Sequence, residues 1–211
     1  MLLLWPPDVK KLASKQNLKG LIGALRYRRS SESPAASHIR CEAAYALAKF
    51  GARAVEPLSV ALHDNDPFVR QAVVETLGRI GAPAVDPLIG ALQEGDELMR
   101  IGAARNLQEI GDPRAVEPLI GVLLDKNENV RCNAVEALAA IGGFRAVEAM
   151  IGAMKDESKD VRKSAVVALK TTGDARAVEP LIGALTDSDK DVRKSAVEAL
   201  KTVGDPARSS R

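Results

Sequence analysis

The side chains of this 211-residue chain that could act as nucleophile, base or metal ligand are few and badly placed for catalysis. His38 and His63 stand alone, and neither belongs to an HxxxH or HExxH step. Cys41 and Cys132 form no CxxC motif, so no metal-ligand spacing is present. No glycine-rich phosphate loop follows a strand pattern. Glu75, Glu136 and Glu198 recur at matching places, but Tyr45, Arg105 and Val167 interrupt the series. General acid–base chemistry needs two groups around one reacting atom, and no neighbouring pair supplies them. The chain is expected to be non-catalytic, with no metal and no cofactor.

Arginine is the conspicuous polar residue. Arg40, Arg70, Arg100, Arg131, Arg162 and Arg193 fall at intervals of 30, 30, 31, 31 and 31. Six residues before each of the last five stands an acid: Asp64, Glu94, Asp125, Asp156 and Asp187. A guanidinium fork is suited to a carboxylate, so these ten residues predict a structural ladder running between turns. Arg40 has Pro34 in place of the acid and is the expected exception.

The ladder is one column of a repeat. Residues 144–174 and 175–205 share 22 of 31 positions, and DVRKSAVVALKT returns as DVRKSAVEALKT. Each unit reads as two helices. In one, Val116, Leu119, Ile120 and Leu123 make an apolar stripe; in the next, Val130, Ala134, Leu138 and Ile141 do. Asp66, Asp96, Asn127, Ser158 and Asp189 are N-cap residues four places before the arginines. Gly111, Gly142, Gly173 and Gly204 close the second helices. Asp112-Pro113 and Asp205-Pro206 start the next first helix at once. Pro57, Pro87, Pro118 and Pro180 either mark the start of the first helices or kink them, and Ala149 replaces them in one unit. Gly90, Gly121, Gly152 and Gly183 recur inside first helices, where close helix contact is expected.

The pattern AVEPLIGAL–turn–D–VRxxAVEAL–xxIGD resembles HEAT-like repeats, in particular the short bacterial and archaeal kind called phycobilisome-lyase-type. The resemblance covers residues 52–205 as five units of 30–31 residues. Residues 1–51 are expected to hold a capping helix over Asp8–Gln16 and a divergent first repeat, with NLKGLIGAL and IRCEAAYALAKFG as its helices and a longer turn between them. Residues 206–211 make a short tail. The resemblance implies one continuous all-α domain, a right-handed α-solenoid of about six two-helix repeats, with the second helices lining a concave side. It also implies a structural role for the Asp–Arg ladder. HEAT-like deoxyhypusine hydroxylases bind iron through His-Glu steps, and this chain has no His-Glu dipeptide.

Composition agrees with this class. Aromatics make up 3% of the chain against 46% hydrophobic residues overall, which suits close-packed helices better than a sheet. Residues 1–50 hold nine Lys/Arg against three Asp/Glu, and residues 51–205 nineteen against twenty-five. Arg26, Tyr27, Arg28, Arg29, Arg40, Tyr45 and Lys49 form a basic aromatic cluster, and Lys163, Lys170, Lys194 and Lys201 a basic strip. The acidic excess between them argues against a groove that tracks phosphates, so nucleic acid is not the expected partner. The run MLLLW before Pro6 is too short for a signal peptide and lacks a basic flank. No stretch reaches membrane-spanning length. With two cysteines some three repeats apart, on the order of 30 Å at the usual helix spacing, no internal disulfide can form. A cytoplasmic setting is expected.

What varies between units is the exposed side of the second helices. Its columns read Cys41, Gln71, Ile101, Cys132, Lys163, Lys194; then Tyr45, Glu75, Arg105, Glu136, Val167, Glu198; then Lys49, Arg79, Glu109, Ala140, Thr171, Thr202. A concave solenoid face of this kind suits a protein or peptide, and Tyr45, Ile101 and Arg105 are anchor types. The expected function is a protein-interaction scaffold. A lyase-like helper in bilin attachment is the alternative that the resemblance implies. The last repeat keeps Ile182, Leu185, Val197 and Leu200 without a polar cap, so the expectation is that this end associates with a partner or a second copy, or that the natural chain is longer.

Overall fold

Local signals set the helix boundaries. In the computed structural model, which describes residues 6–28 and 33–203, every described residue is helix, turn or loop and no strand occurs. The chain divides into two compact units, residues 1–106 and 107–211. Met1–Trp5, Arg29, Gly204 and the Asp205–Pro206 start of the tail lie outside the described residues.

The first unit opens with α1, Val9–Ser14, where the Asp8 carboxylate caps the helix by accepting the Lys11 N–H. It packs on α2, Leu18–Leu25, and α3, Pro34–Leu47. The sequence predicts a later start for α3, but Ser33 caps it and Pro34 occupies its first turn. A Ser-Pro pair suits this junction, because proline's missing N–H is not needed there. Next come α4, Val55–Ala61, and α5, Pro67–Ile80, capped by Asp66. Then follow α6, Val85–Glu94, and α7, Glu97–Ile110, inside which the division between units falls. Leu21, Leu47, Leu58, Leu77, Leu88 and Leu92 are fully buried and form the core.

The second unit repeats the plan with α8, Val116–Gly121, and α9, Glu128–Ile141. It continues with α10, Phe144–Ala153, and α11, Lys159–Thr172, and ends with α12, Val178–Gly183, and α13, Lys190–Val203. Leu107, Leu119, Leu138, Met150, Leu169 and Leu181 are its largest fully buried side chains. Gly142 and Gly173 end α9 and α11 at φ 75° and 64°, a backbone region that other residues enter at a cost.

The prolines of the first helices mark true starts. Each of α4, α6, α8 and α12 carries its proline at the third residue and follows a short 3-10 turn. Where Ala149 supplies the N–H that proline lacks, α10 runs unbroken from Phe144.

The recurring first-helix glycines need a correction. A Cβ added at Gly90, Gly121, Gly152 or Gly183 would meet nothing within 4 Å, so these glycines do not admit a neighbouring helix. The glycines that do stand elsewhere: Gly20 of α2, where a Cβ would strike Leu12 of α1, and two on second helices. A Cβ at Gly78 would strike the Asn106 side chain, whose Nδ2 donates to the Val74 carbonyl at 2.9 Å, and one at Gly102 would press on Val74. Periodicity finds the glycine column but cannot say what lies over it. Gly90→Ala should therefore stabilise the fold by about 0.5–1 kcal/mol through helix propensity, whereas Gly78→Ala should lower the melting midpoint.

Candidate functional site

The arginine column controls how the second helices are spaced. Arg131 donates from Nε and Nη2 to the two carboxylate oxygens of Asp156, both at 2.8 Å. Its Nη1 donates to the Asp125 carbonyl in its own turn at 2.8 Å. Arg162 does the same with Asp187 at 2.8 and 2.9 Å and with the Asp156 carbonyl at 3.0 Å. Each guanidinium thus reads its own turn through one nitrogen and the following turn through the other two. The acids also brace their own turns, since Asp64, Asp125, Asp156 and Asp187 each accept the backbone N–H two residues on, at 2.8–3.0 Å. Hydrogen bonds from Arg162 hold the Asp187 carboxyl below the usual carboxylate range, against partial burial that pulls the other way.

Two members of the column differ from expectation. Glu94 is exposed at the end of α6, and Arg70 donates instead to Asp96 Oδ2, from Nε at 3.0 Å and Nη2 at 2.6 Å. A glutamate is one methylene too long to close the tight turn that aspartate makes. Asp96, the N-cap of α7 through the Met99 N–H, takes the arginine as well. Burial pushes its carboxyl pKa up, but the Arg70 hydrogen bonds and charge together with the Met99 and Leu98 N–H groups bring it below the usual carboxylate range.

Arg40 is an exception only in part. It is 3% exposed and donates to Asp64 Oδ1 and to the Tyr27 carbonyl, both at 3.2 Å. Its carboxylate partner belongs to the following repeat, so Pro34 does not cost it that contact, but the Tyr27 carbonyl replaces one in its own turn and its buried Nε has no partner among the described residues. Asp66 joins the same cluster, accepting from the Ser37 hydroxyl and lying 3.8 Å from Arg40 Nη2. Arg100 donates to the Gly95 carbonyl at 2.9 Å, and Arg193 to the Asp187 carbonyl at 2.6 Å.

With the ladder fixed, the variable columns line up on the second helices. In the first unit Tyr45, Lys49, Gln71, Glu75, Arg79 and Arg105 are exposed, and Cys41 and Ile101 half-buried. Three of them are already assembled. The Tyr45 hydroxyl donates to Glu75 Oε2 at 2.9 Å, Arg79 Nη2 to Glu75 Oε1 at 2.6 Å, and the Arg79 guanidinium lies over the Tyr45 ring at 5.1 Å. Tyr45 is 37% exposed. Burial, and next the bond to Glu75, push its phenol pKa up, so it stays a donor at neutral pH.

In the second unit Glu109, Glu136, Ala140, Lys163, Val167, Thr171, Lys194 and Glu198 are exposed, and Cys132 and Thr202 half-buried. Gln108, Glu136, Ala140, Lys163, Val167 and Thr171 contribute to a groove of ≈ 660 Å³. Burial raises both cysteine thiols, which leaves little thiolate at neutral pH.

The basic aromatic cluster of the first repeat is not one surface. Tyr27 and Arg40 are buried, and Arg28 lies 3.6 Å from Asp64. Sequence reasoning did not single out a cleft of ≈ 560 Å³ in the first unit, lined among others by His63, Arg70, Pro87, Gly90 and Met99. Among the described residues no cluster of three or more His, Cys, Asp or Glu could hold a metal ion. Nor is any described helix long and apolar enough to cross a membrane.

Comparison with known proteins then places this architecture. The HEAT repeats family model matches residues 24–100, 85–170 and 147–210. A designed armadillo repeat protein in complex with the peptide (KR)4 has a TM-score of 0.60 at 21% identity, with 89% of this chain and 99% of that chain covered. A crystal structure of an engineered protein gives 0.58 at 24% identity, with 89% and 96% covered. The CpcE–CpcF complex of phycocyanin lyase from Nostoc sp. PCC7120 gives 0.58 at 23%, with 70% and 98% covered. At these identities the likeness is one of fold, an all-α solenoid. No curated protein matches the sequence. The chain belongs to the HEAT repeat family, whose fold is typical of protein-interaction scaffolds.

Proposed function

We propose that the chain is a non-catalytic scaffold that binds a protein or peptide on the exposed face of its second helices. The assembled Tyr45–Glu75–Arg79 cluster carries the reading. An aromatic ring and an arginine held in place before binding lose little side-chain freedom on contact, and such residues dominate interface energies. Lys49, Arg79 and Arg105 against Glu75 leave this face of the first unit net cationic, which favours a segment bearing carboxylates beside an apolar anchor. In the second unit the groove beside Val167 is lined by Lys163 and by Glu136 and Asp160, so there an apolar group stands among charges of both signs.

Affinity capture followed by titration of the recovered partner tests this. Tyr45→Ala should weaken binding by about 2 kcal/mol, roughly thirtyfold in Kd, with an unchanged melting curve. Equal affinity for wild type and variant would count against the reading. Help in bilin attachment is the second reading, supported by the likeness of fold to the phycocyanin lyase complex. A shift in bilin absorbance on mixing, with no protein partner recovered, would favour it instead.

A further inference from the structure

The cleft of ≈ 560 Å³ in the first unit lies where the repeat departs from its own pattern. The first-helix column of Ile22, Ile89, Ile120, Ile151 and Ile182 has Ser59 in it. The column of Ile39, Val69, Val130, Val161 and Val192 has Met99, and the aspartates Asp64, Asp125, Asp156 and Asp187 give way to Glu94. All three departures line this one cleft.

Two of them, with Gly90, open it. Ser59 is smaller than isoleucine, and its hydroxyl turns back to donate to the Val55 carbonyl at 2.8 Å. Glu94 does not close the seam as aspartate does, so the Arg70 and Asp96 side chains are 22% and 40% exposed where Arg131 and Asp156 are 6% and 11%. Gly90 stands 30 residues after Val60 and leaves that side chain out of the wall. A Cβ there meets nothing within 4 Å.

The lining has one apolar part and one free charge. Leu62, Ala91 and Met99 are buried, while His63 and Glu94 are exposed. Met99 is the adaptable side chain among them, and the volume is that of a small-molecule pocket, about 300–1,000 Å³. Arg70 spends Nε and Nη2 on Asp96 and Nη1 on the carbonyls of Asp64 and Asn65. The Asp64 carboxylate faces Arg40 and Arg28 at 3.2 and 3.6 Å. Among the described residues no cation pairs with Glu94. An anion entering the cleft would find no spare guanidinium donor, whereas a cation finds an uncompensated carboxylate beside an apolar hollow.

We propose that this cleft binds a small alkylammonium molecule, with its hydrocarbon body against Leu62, Ala91 and Met99 and its N–H groups donating to the Glu94 carboxylate. None of the lining residues belongs to the variable second-helix columns, so the proposal stands apart from the scaffold reading.

Hexylamine, hexanol and hexanoate share one hydrocarbon body and differ in charge, and the amine is protonated at neutral pH. Titrated into the isotope-labelled intact chain, hexylamine should shift the amide resonances of Gly90 and Gly95 saturably. Hexanol should bind at least about threefold more weakly, and hexanoate more weakly still. Glu94→Gln should weaken hexylamine about three- to fivefold, the worth of one exposed ion pair, and erase its advantage over hexanol. Gly90→Val fills the hollow and should weaken amine and alcohol alike at least about tenfold, with a melting midpoint no lower than wild type. Equal binding of amine and alcohol, an unchanged affinity in Glu94→Gln, or shifts confined to residues away from the cleft would each overturn the proposal. Nα-acetyl-lysine amide presents the same ammonium on a peptide backbone. Tighter binding of it than of hexylamine would assign the cleft to a lysine of another protein and overturn the small-molecule reading.

Discussion

Arg131→Ala should destabilise the fold by about 3–5 kcal/mol, read from chemical denaturation. Arg131 is 5% exposed, and it is bidentate to Asp156 and donates to the Asp125 carbonyl. Removing it leaves a carboxylate, itself 11% exposed, without its bidentate counter-charge and takes one donor from a turn carbonyl. Arg131→Lys should recover only part of the loss, because an ammonium cannot span both oxygens and the carbonyl in one plane. Arg193 occupies the same column and, among the described residues, donates only from Nη1, to the Asp187 and Ser188 carbonyls. Arg193→Ala should therefore cost only about 1 kcal/mol, the worth of its carbonyl bonds. Equal losses at the two positions would show that the inter-turn carboxylate contributes nothing.

A second pair of identical residues separates scaffold from surface. Val166→Asp places a carboxylate at a fully buried position between α11 and its neighbours. The effective cost of an unpaired buried ion is several kcal/mol, so the variant should be unfolded or molten at room temperature. Val197→Asp, thirty-one residues on, puts the same group at a 44% exposed site beside Arg193 and Lys201 and should change stability by no more than about 1 kcal/mol. Thermal melts followed by circular dichroism decide this. Comparable loss at both positions would mean that the last helix pair is covered as the internal ones are.

These contrasts show where the sequence was legible. Caps were read from residue type because a short oxygen-bearing side chain in front of an apolar run has one economical use: Asp66, Asn127 and Ser158 accept the N–H groups expected of them. The core was legible in Leu138 and Leu169, since a 3.6-residue stripe must be buried. What escaped was whatever depends on the neighbouring unit. The identity of the arginine's partner is a matter of direction along the stack, so Arg40 looked orphaned by Pro34 when its acceptor stands on Asp64. The failure of Glu94 turns on one methylene and shows only in the geometry of its turn. The regular glycines suggested contact, while the isolated Gly78 is the one pressed by Asn106. The Tyr45–Glu75–Arg79 cluster joins residues of two repeats, and no single-repeat pattern contains it.

The central claim is that the repeated columns build the scaffold and the variable second-helix columns bind. Hydroxyl-radical footprinting of the chain, free and with its captured partner, tests this at the side chains themselves. Tyr45 should lose labelling on binding, while exposed Val60 and Phe68, outside those columns, keep theirs. Protection of Val60 and Phe68 with Tyr45 labelled as before would contradict it.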